Sequence, residues 1–328
     1  MKKLFFVVAL LAVVASCTKN EVIPQNDGNK EITYLTAPLT KATFETSNKF
    51  YSYAYLLTSG KQWASASNSS DPYIDEALVW YQSSEWKAGQ SYYWPKDAGS
   101  SLTFFAWSNG TGTLDATVGK CSKEYGVQFE NYDIRATNKN KDMMVAEIAA
   151  DQTANPVPTL FYHVLSSLVI KAKETVDDPK VTFKVKDITL LDHSVKGSYT
   201  QGIDATKKPT AGTWTQASPV ETDDLPVYTH AGFTLTTSEQ VLDTDYRILL
   251  PHAFGANEKM QITYDIITNY TGTPVTETVT FSQELSGIFG ASWEAGKKYT
   301  LTIILGMDEI LWDPAVEVWE LPSGDWVI

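Results

Sequence analysis

The sequence predicts an all-β protein built from two β-sandwich domains. Short runs rich in Tyr, Phe, Trp, Val, Ile and Thr are separated by Gly, Pro, Asn or Asp along almost the whole chain, which is typical of strands joined by turns. Long amphipathic helical patterns are absent from the sequence, and this disfavours an alternating α/β architecture. The chain has 328 residues, more than one sandwich domain usually contains, so two domains are favoured.

The N-terminal residues predict export. Two lysines precede an apolar run over residues 4–14, and two small residues then lead to Cys17. This order is typical of a secretory signal peptide, and the run is too short to span a bilayer as a mature helix. Because a cysteine follows the small residues directly, the segment resembles the lipobox of bacterial lipoproteins. We expect a signal peptide over residues 1–17 and an acylated Cys17 that anchors the protein; the alternative is an ordinary signal peptide that ends near a cysteine.

The charge and the cysteine content exclude several kinds of binding site. The formal net charge is −13, and removal of residues 1–17 takes away two lysines and no acid, which gives −15. Arg135 and Arg247 are the only arginines, so binding to nucleic acid is not expected, because that affinity comes mainly from cations on phosphates. With Cys17 acylated, Cys121 is the only thiol, which excludes an intramolecular disulfide and a cysteine-zinc cluster. No cofactor is expected.

Alternation with period two locates the clearest strands. Such runs cover residues 50–57, 102–107, 181–191, 262–266, 275–281 and 299–305. The run 102–107 is apolar on both faces, as in a central strand buried between two layers. In the run 181–191 the alternation shifts by one at Lys186 and Asp187, which predicts a β-bulge. The run 160–169 stays open between a short buried helix and a strand, because periodicity does not separate the two in short apolar runs.

The order of these runs suggests four segments. Residues 18–41 are predicted to hold a polar tether and a first strand, residues 42–158 the N-terminal sandwich, and residues 159–328 the C-terminal sandwich. In the first strand, Ile32 and Tyr34 alternate with Thr33 and Leu35, so the strand can bury one row of side chains. Pro38 would end the pairing.

The polar residues show no pattern of a catalytic or metal site. No pair of histidines has metal-ligand spacing, and no nucleophile motif accompanies them: His163, His193, His230 and His252. His163 lies in an apolar run and is expected to be a packed residue. Asp223-Asp224 and the triplet 243–245 are rich in oxygen but do not fit the EF-hand spacing, so solvated turn carboxylates are favoured. A catalytic carboxylate pair stays open, since its separation is spatial.

The ten tryptophans suggest sugar binding as an alternative function. Exposed aromatic rings could stack on sugars, whereas buried rings would fill the sandwich cores. A surface glycan-binding lipoprotein is therefore the second functional hypothesis, and an exported hydrolase is the third. Exposed tryptophans in a cleft would favour the second hypothesis, and converging carboxylates with perturbed pKa values would favour the third.

Four segments in order resemble the fimbrillin-like lipoproteins, the type V pilus subunits of certain Gram-negative gut and oral bacteria. The likeness lies in residues 32–42, in 92–107 with the segment YYWP and the run LTFFAW, in 142–166, and in 293–319 with the segment WEAGKKYTL. Each motif is common alone, but their order and the N-terminal signal together span nearly the whole chain.

The resemblance implies a fold and an assembly mechanism. It implies two tandem transthyretin-like Greek-key β-sandwich domains, export to the outer membrane as a lipoprotein, proteolytic removal of an N-terminal segment, and polymerisation by strand exchange. The removable strand would carry Ile32 and Tyr34, and the donor strand would carry Val316 and Val318 near the C-terminus. In the family the cut usually follows an arginine, whereas the matching residue here is Lys41, followed by Ala42.

The leading functional hypothesis is thus a structural subunit or adhesin of a cell-surface fimbria. Its partners would be other pilus subunits, the outer membrane through the lipid anchor, and a ligand on a host or bacterial surface. Lys41 leaves two alternatives: the protease accepts lysine, or the protein stays uncut and anchored. A first strand bound lengthwise in a hydrophobic groove would favour this hypothesis over the other two.

Overall fold

The computed structural model describes residues 30–36, 44–58, 60–63, 72–135, 141–243 and 246–319. Within these ranges most residues lie in β-strands, which confirms the predicted all-β class. The helix α1 (Leu285–Phe289) and a 3₁₀ turn (Pro209–Ala211) are each shorter than two turns. No helix in the described part of the chain is long and apolar enough to cross a membrane.

The strands are numbered here in chain order. Those of the first half are β1 (Tyr34–Leu35), β2 (Lys49–Leu57), β3 (Pro72–Gln82), β4 (Glu85–Ala88), β5 (Ser101–Ser108), β6 (Gly119–Ser122), β7 (Gly126–Asp133), β8 (Met144–Ala146), β9 (Ala149–Gln152), β10 (Val157–Pro158) and β11 (Phe161–His163). Those of the second half are β12 (Ser166–Glu174), β13 (Val181–Ser194), β14 (Lys196–Thr200), β15 (Thr213–Gln216), β16 (Thr222–Thr234), β17 (Gln240–Val241), β18 (Arg247–Leu249), β19 (His252–Ala253), β20 (Lys259–Thr268), β21 (Val275–Glu284), β22 (Ser292–Trp293), β23 (Lys297–Leu305) and β24 (Ile310–Val318).

The largest sheet closes on itself. Its strand order is β10-β1-β4-β3-β2-β5-β8-β11, with β9 also paired to β5. The first and last strands in this order are neighbours in the chain. Thr159 N–H donates to the Leu35 carbonyl on the β1 side, and the carbonyl of Leu160 accepts from Glu147 N–H beside β8. The strand β1 therefore fills the position between β4 and β10 in a closed sheet.

This closed sheet surrounds the first hydrophobic core. Phe50, Ile74, Leu102 and Phe104 lie in it, together with the N-terminal Tyr34. The opposite faces of β2 and β5 face a second core, so every residue of β5 is buried. This arrangement confirms the prediction of a central strand covered on both sides over residues 102–107.

The second core lies between two further sheets. One has the order β17-β12-β23-β24, with β18 also on β12, and the other has the order β16-β13-β20-β21. Leucine and isoleucine side chains of β12 and β23 meet those of β13 and β20 in this core. A fourth sheet has the order β15-β14-β7-β6, and β19 pairs with β22 in a separate two-stranded ladder.

The two halves of the chain share structure. The hairpin β6–β7 from the first half pairs with β14 from the second half, and the second core contains side chains from Tyr53 to Trp319. The division into two sandwiches near residue 158 stays a prediction. Among the described residues, the buried members of the first core all lie between residues 32 and 161, within the first half as divided above.

Several local expectations are confirmed. The register of β13 against β20 shifts between Val185 and Asp187, where the alternation changes phase. The hairpin β20–β21 pairs Ile262 with Phe281 and Ile266 with Glu277. The open run 160–169 forms two strands, β11 and the start of β12, with a break at the buried residues Val164 and Leu165.

Candidate strand-binding groove

The first strand lies in a groove between two segments of the closed sheet. Residues 30–36 run parallel to β10, with Tyr34 opposite Val157, and antiparallel to β4, with Tyr34 opposite Trp86. An isolated bridge joins Glu31 to Tyr93. We define the β1 groove as the position of residues 30–36 between β4 with residues 92–94 on one side and residues 155–159 on the other. The strand is internal, so it does not occupy a sheet edge.

Main-chain hydrogen bonds hold the strand on the β4 side of the groove. Ile32 N–H donates to the Tyr92 carbonyl at 2.8 Å, and Trp94 N–H donates to the Lys30 carbonyl at 3.2 Å. Outside the main chain, the Lys87 ammonium lies 3.8 Å from the Glu31 carboxylate. This side of the groove therefore depends little on the identity of the bound side chains.

The opposite side combines main-chain groups with one side-chain amide. Val157 N–H donates to the Thr33 carbonyl at 2.8 Å, and Thr159 N–H donates to the Leu35 carbonyl at 2.9 Å. Asn155 continues this row: its Oδ1 accepts from Thr33 N–H at 3.0 Å, and its Nδ2 donates to the Glu31 carbonyl. The same Oδ1 accepts from the indole N–H of Trp94 at 2.8 Å.

Two side chains of the strand enter the first core. Ile32 is 2% exposed and Tyr34 is 5% exposed, whereas Leu35 points outward. The ring of Tyr34 meets Phe50 edge-on at 5.4 Å and Phe104 edge-on at 6.0 Å, the preferred geometry for aromatic pairs. Burial raises the pKa of the Tyr34 hydroxyl, so it stays protonated. Burial of side chains of this size contributes about 1.5–3 kcal/mol each.

The sequence-predicted processing site follows the groove in the chain. Lys41 and Ala42 lie outside the described residues, as does Cys17. The described chain resumes at Phe44, whose ring stacks on Phe161 at 4.8 Å and packs against Trp86. Both ends of the segment 37–43 are thus attached to the first core, one by Tyr34 and the other by Phe44.

The predicted donor segment lies at the far end of the chain, on an edge strand. β24 pairs with β23 over its whole length, and no described strand pairs with its other edge. Val316 is 51% exposed and Val318 is 58% exposed, so these two apolar side chains have no place in a core of their own subunit. The structure therefore places Ile32 with Tyr34 in the groove and Val316 with Val318 on a separate, exposed strand.

One aromatic contact fixes the end of β24. The ring of Trp319 stacks on the imidazole of His163 at 4.0 Å and meets Tyr246 edge-on at 5.4 Å. Trp319 N–H donates to the Gly296 carbonyl at 2.7 Å. His163 is buried, as expected for a packed residue, and its Nδ1 is hydrogen-bonded to the Asp142 carboxylate. Sequence spacing did not indicate the Asp142 or Trp319 contacts, because both are long-range.

The described tryptophans do not form a sugar-stacking platform. Six of them are buried and three are partly buried: Trp63, Trp86, Trp94, Trp107, Trp293 and Trp319 in the first group, and Trp80, Trp214 and Trp312 in the second. The rings mostly contact other aromatic rings of the two cores, as Trp107 does with Phe129 at 5.6 Å. Core packing therefore accounts for the aromatic content in the described part of the chain.

A second polar cluster joins residues that sequence spacing did not connect. One ligand atom each from His193, His252 and Glu258 lies within 4.8 Å of the others. The indole N–H of Trp293 donates to Nε2 of His193 at 2.9 Å, so the Nδ1 of that ring carries the proton and is no metal ligand. His252 Nδ1–H donates to the Leu250 carbonyl at 2.8 Å, which leaves Nε2 for the Glu258 carboxylate.

The members of this cluster are buried and hydrogen-bonded within the protein interior. His252 Nε2 lies 2.9 Å from a carboxylate oxygen of Glu258, so these two groups are hydrogen-bonded to each other. Burial, followed by the nearby His252, lowers the pKa of His193 well below its usual value, so that ring is neutral. The three residues connect the end of β13 to β19 and to the turn before β20.

A surface cleft of about 280 Å³ contains the only described thiol. Asp75, Glu76, Lys120 and Glu130 line it together with Cys121. Burial raises the pKa of the Cys121 thiol far above neutrality, with the hydrogen bond to Tyr55 acting in the opposite direction. Because the thiolate is the nucleophilic form, this protonated cysteine is a poor nucleophile.

The comparisons with known proteins agree with this fold. A family model described as fimbrillin-like matches residues 37–319. No curated protein matches the chain. A fimbrial protein from Bacteroides vulgatus has a similar crystal structure, with a TM-score of 0.68, 20% sequence identity, and coverage of 89% of this chain and 100% of that one.

A second solved structure supports the same architecture. It is a candidate cell adhesion protein from Bacteroides uniformis, with a TM-score of 0.51 and 17% identity over 90% of this chain and 99% of that one. At such identities the likeness shows the fold, while the family model, which covers most of the chain, shows the family.

Proposed function

This chain belongs to the fimbrillin-like family, and from that premise we propose that it is a fimbrial subunit exported as a lipoprotein and joined to its neighbours by strand exchange. Family membership makes it a pilus subunit or adhesin of the cell surface and not an enzyme. The proposal adds the outer-membrane anchor at Cys17, the cut between Lys41 and Ala42, and the exchange of one strand for another.

The position of β1 is the observation that carries the proposal. The strand is internal to a closed sheet, yet its connection to β2 runs through residues 37–43, which contain Lys41. After a cut there, only non-covalent contacts would keep residues 30–36 in the groove. Loss of the strand would leave unpaired N–H and C=O groups along the apolar β1 groove. Another strand could then bind there by pairing with these groups.

The C-terminal strand of a second copy is the proposed replacement. Val316 and Val318 are separated by one residue, like Ile32 and Tyr34, so they can enter the groove on one face of a strand. Their exposure on the free subunit gives the exchange a driving force, because burying each valine contributes about 1.5 kcal/mol or more. Repetition of the step from copy to copy would build a fimbria.

The N-terminus of the protein on its native surface tests processing and anchoring together. We expect assembled protein to begin at Ala42, and unprocessed protein to begin at an acylated Cys17, as measured by intact mass and N-terminal sequencing. The variant Cys17→Ala should leave the membrane fraction or stall before processing. Unchanged, detergent-dependent membrane association of that variant would contradict the lipid anchor. Assembled fimbriae that retain residues 18–41 would contradict the cut.

A further inference from the structure

The side chain of Asn155 forms two hydrogen bonds with β1 that a main-chain peptide group would form in a regular ladder. On this edge, Val157 and Thr159 each present an N–H to the bound strand, two residues apart as in a regular ladder. The next position in the row belongs to Asn155, where the side chain supplies both bonds: Oδ1 accepts from Thr33 N–H and Nδ2 donates to the Glu31 carbonyl. The side-chain amide thus acts as one more peptide group of the edge.

The orientation of this amide is determined by its surroundings. Oδ1 receives the indole N–H of Trp94 at 2.8 Å as well as the N–H of Thr33. A rotated amide would place its NH₂ group against both of these donors and its oxygen against the Glu31 carbonyl, so that arrangement is strongly disfavoured. Trp94 is itself buried, with its ring edge-on to Phe104 at 5.9 Å. The orientation of the amide is therefore fixed from both sides, by Trp94 of the groove and by Thr33 of the bound strand.

We propose that Asn155 is a register clamp that binds the main chain of whichever strand occupies the β1 groove, including the donor strand of a second copy. This inference rests on the proposed strand exchange. Because the clamp contacts only main-chain atoms of the bound strand, it accepts any side chain at the position of Thr33. It rejects proline there, since proline has no N–H to donate to Oδ1.

The requirement for an N–H at the position of Thr33 limits which residues of this chain can bind as the donor strand. Pro314 lies within β24 and Pro322 follows the strand, so residues 315–321 form a stretch without proline. Val316 and Val318 lie within this stretch, and the residue between them, Glu317, carries an N–H. A donor that places the two valines inward therefore meets the clamp's requirement for an N–H.

The test compares Asn155→Ala and Asn155→Asp with the exposed control Asn269→Ala. In Asn155→Asp a carboxylate oxygen replaces Nδ2 and faces the Glu31 carbonyl, so the donor is lost although the shape is kept. The first readout is hydrogen exchange of the uncut chain. In Asn155→Ala the Thr33 amide loses its acceptor and should exchange roughly tenfold faster, as expected for loss of one hydrogen bond. In Asn155→Asp the Thr33 amide keeps an oxygen acceptor, and repulsion between the carboxylate and the Glu31 carbonyl should instead speed exchange over residues 30–36 as a whole. The hairpin β20–β21 should exchange at an unchanged rate.

The second readout is the rate at which cut subunits join. Wild-type and Asn269→Ala subunits should join at the same rate. Each Asn155 variant should join at least roughly tenfold more slowly, because Asn155→Asp loses one hydrogen bond to the strand and Asn155→Ala loses two. Equal joining rates for all four proteins, or an unchanged exchange rate of the Thr33 amide in uncut Asn155→Ala, would overturn the clamp. If even the wild type does not join, strand exchange itself fails, and hydrogen exchange alone then decides whether Asn155 clamps β1.

Discussion

Replacing both Val316 and Val318 with aspartate is expected to abolish assembly while leaving the subunit folded. The two side chains are 51% and 58% exposed, so the double variant should change the free energy of unfolding by no more than about 1 kcal/mol. In the groove of a second copy, however, each aspartate would lie in a core made of Phe50, Phe104 and their neighbours. A buried, unpaired carboxylate costs several kcal/mol, so joining should fall below detection.

Val275→Asp is the matched control for this experiment. Val275 is 62% exposed on the edge strand β21, so it tests an added charge on an exposed edge strand outside the proposed donor. The control should join at the wild-type rate. Gel ladders would report assembly, and urea unfolding would report stability. A normal ladder from the double variant, or loss of the ladder in Val275→Asp, would contradict the assignment of the donor.

The variant Tyr34→Ala is expected to give the largest loss of stability in the uncut chain. The ring is 5% exposed and packs edge-on against Phe50 and Phe104, so truncation removes buried area and leaves a cavity. Buried aromatic residues changed to alanine usually cost about 3–5 kcal/mol. Because β1 closes the sheet around the first core, the same change should also release residues 30–36 more often.

Tyr125→Ala is the control for this prediction, because Tyr125 is 56% exposed. It should change the free energy of unfolding by less than about 0.5 kcal/mol. Urea unfolding at neutral pH measures both variants, and hydrogen exchange of residues 30–36 reports release of the strand. A loss below about 1 kcal/mol for Tyr34→Ala would mean that β1 does not belong to the cooperative core.

The sequence predicted local β-structure well because alternation is a local property. The two-sided burial of residues 102–107 and the bulge near Lys186 both followed from the order of apolar residues. The alternation of Ile32 and Tyr34 also predicted which side chains of the first strand would be buried. Such patterns indicate the face of a strand, but they do not indicate its neighbours.

The site depends on pairings between residues that are far apart in the chain. Thr33 meets Asn155, Trp94 meets the same amide, and Trp319 meets His163. Nothing in the motif around Asn155 distinguishes it from a turn residue before proline, so only the assembled sheet indicates its contacts with β1. His193 lies in β13 and His252 in β19, so five strands separate these two residues in the chain.

Cleavage of the purified protein by a trypsin-like protease tests strand exchange most directly. The proposal predicts a cut after Lys41 in the folded protein, followed by a ladder of oligomers on gels and by release of the peptide that contains Ile32 and Tyr34. The variant Lys41→Gln should remain uncut at this position and monomeric. Clean cleavage after Lys41 without any oligomer, at high protein concentration and over days, would contradict assembly by strand exchange.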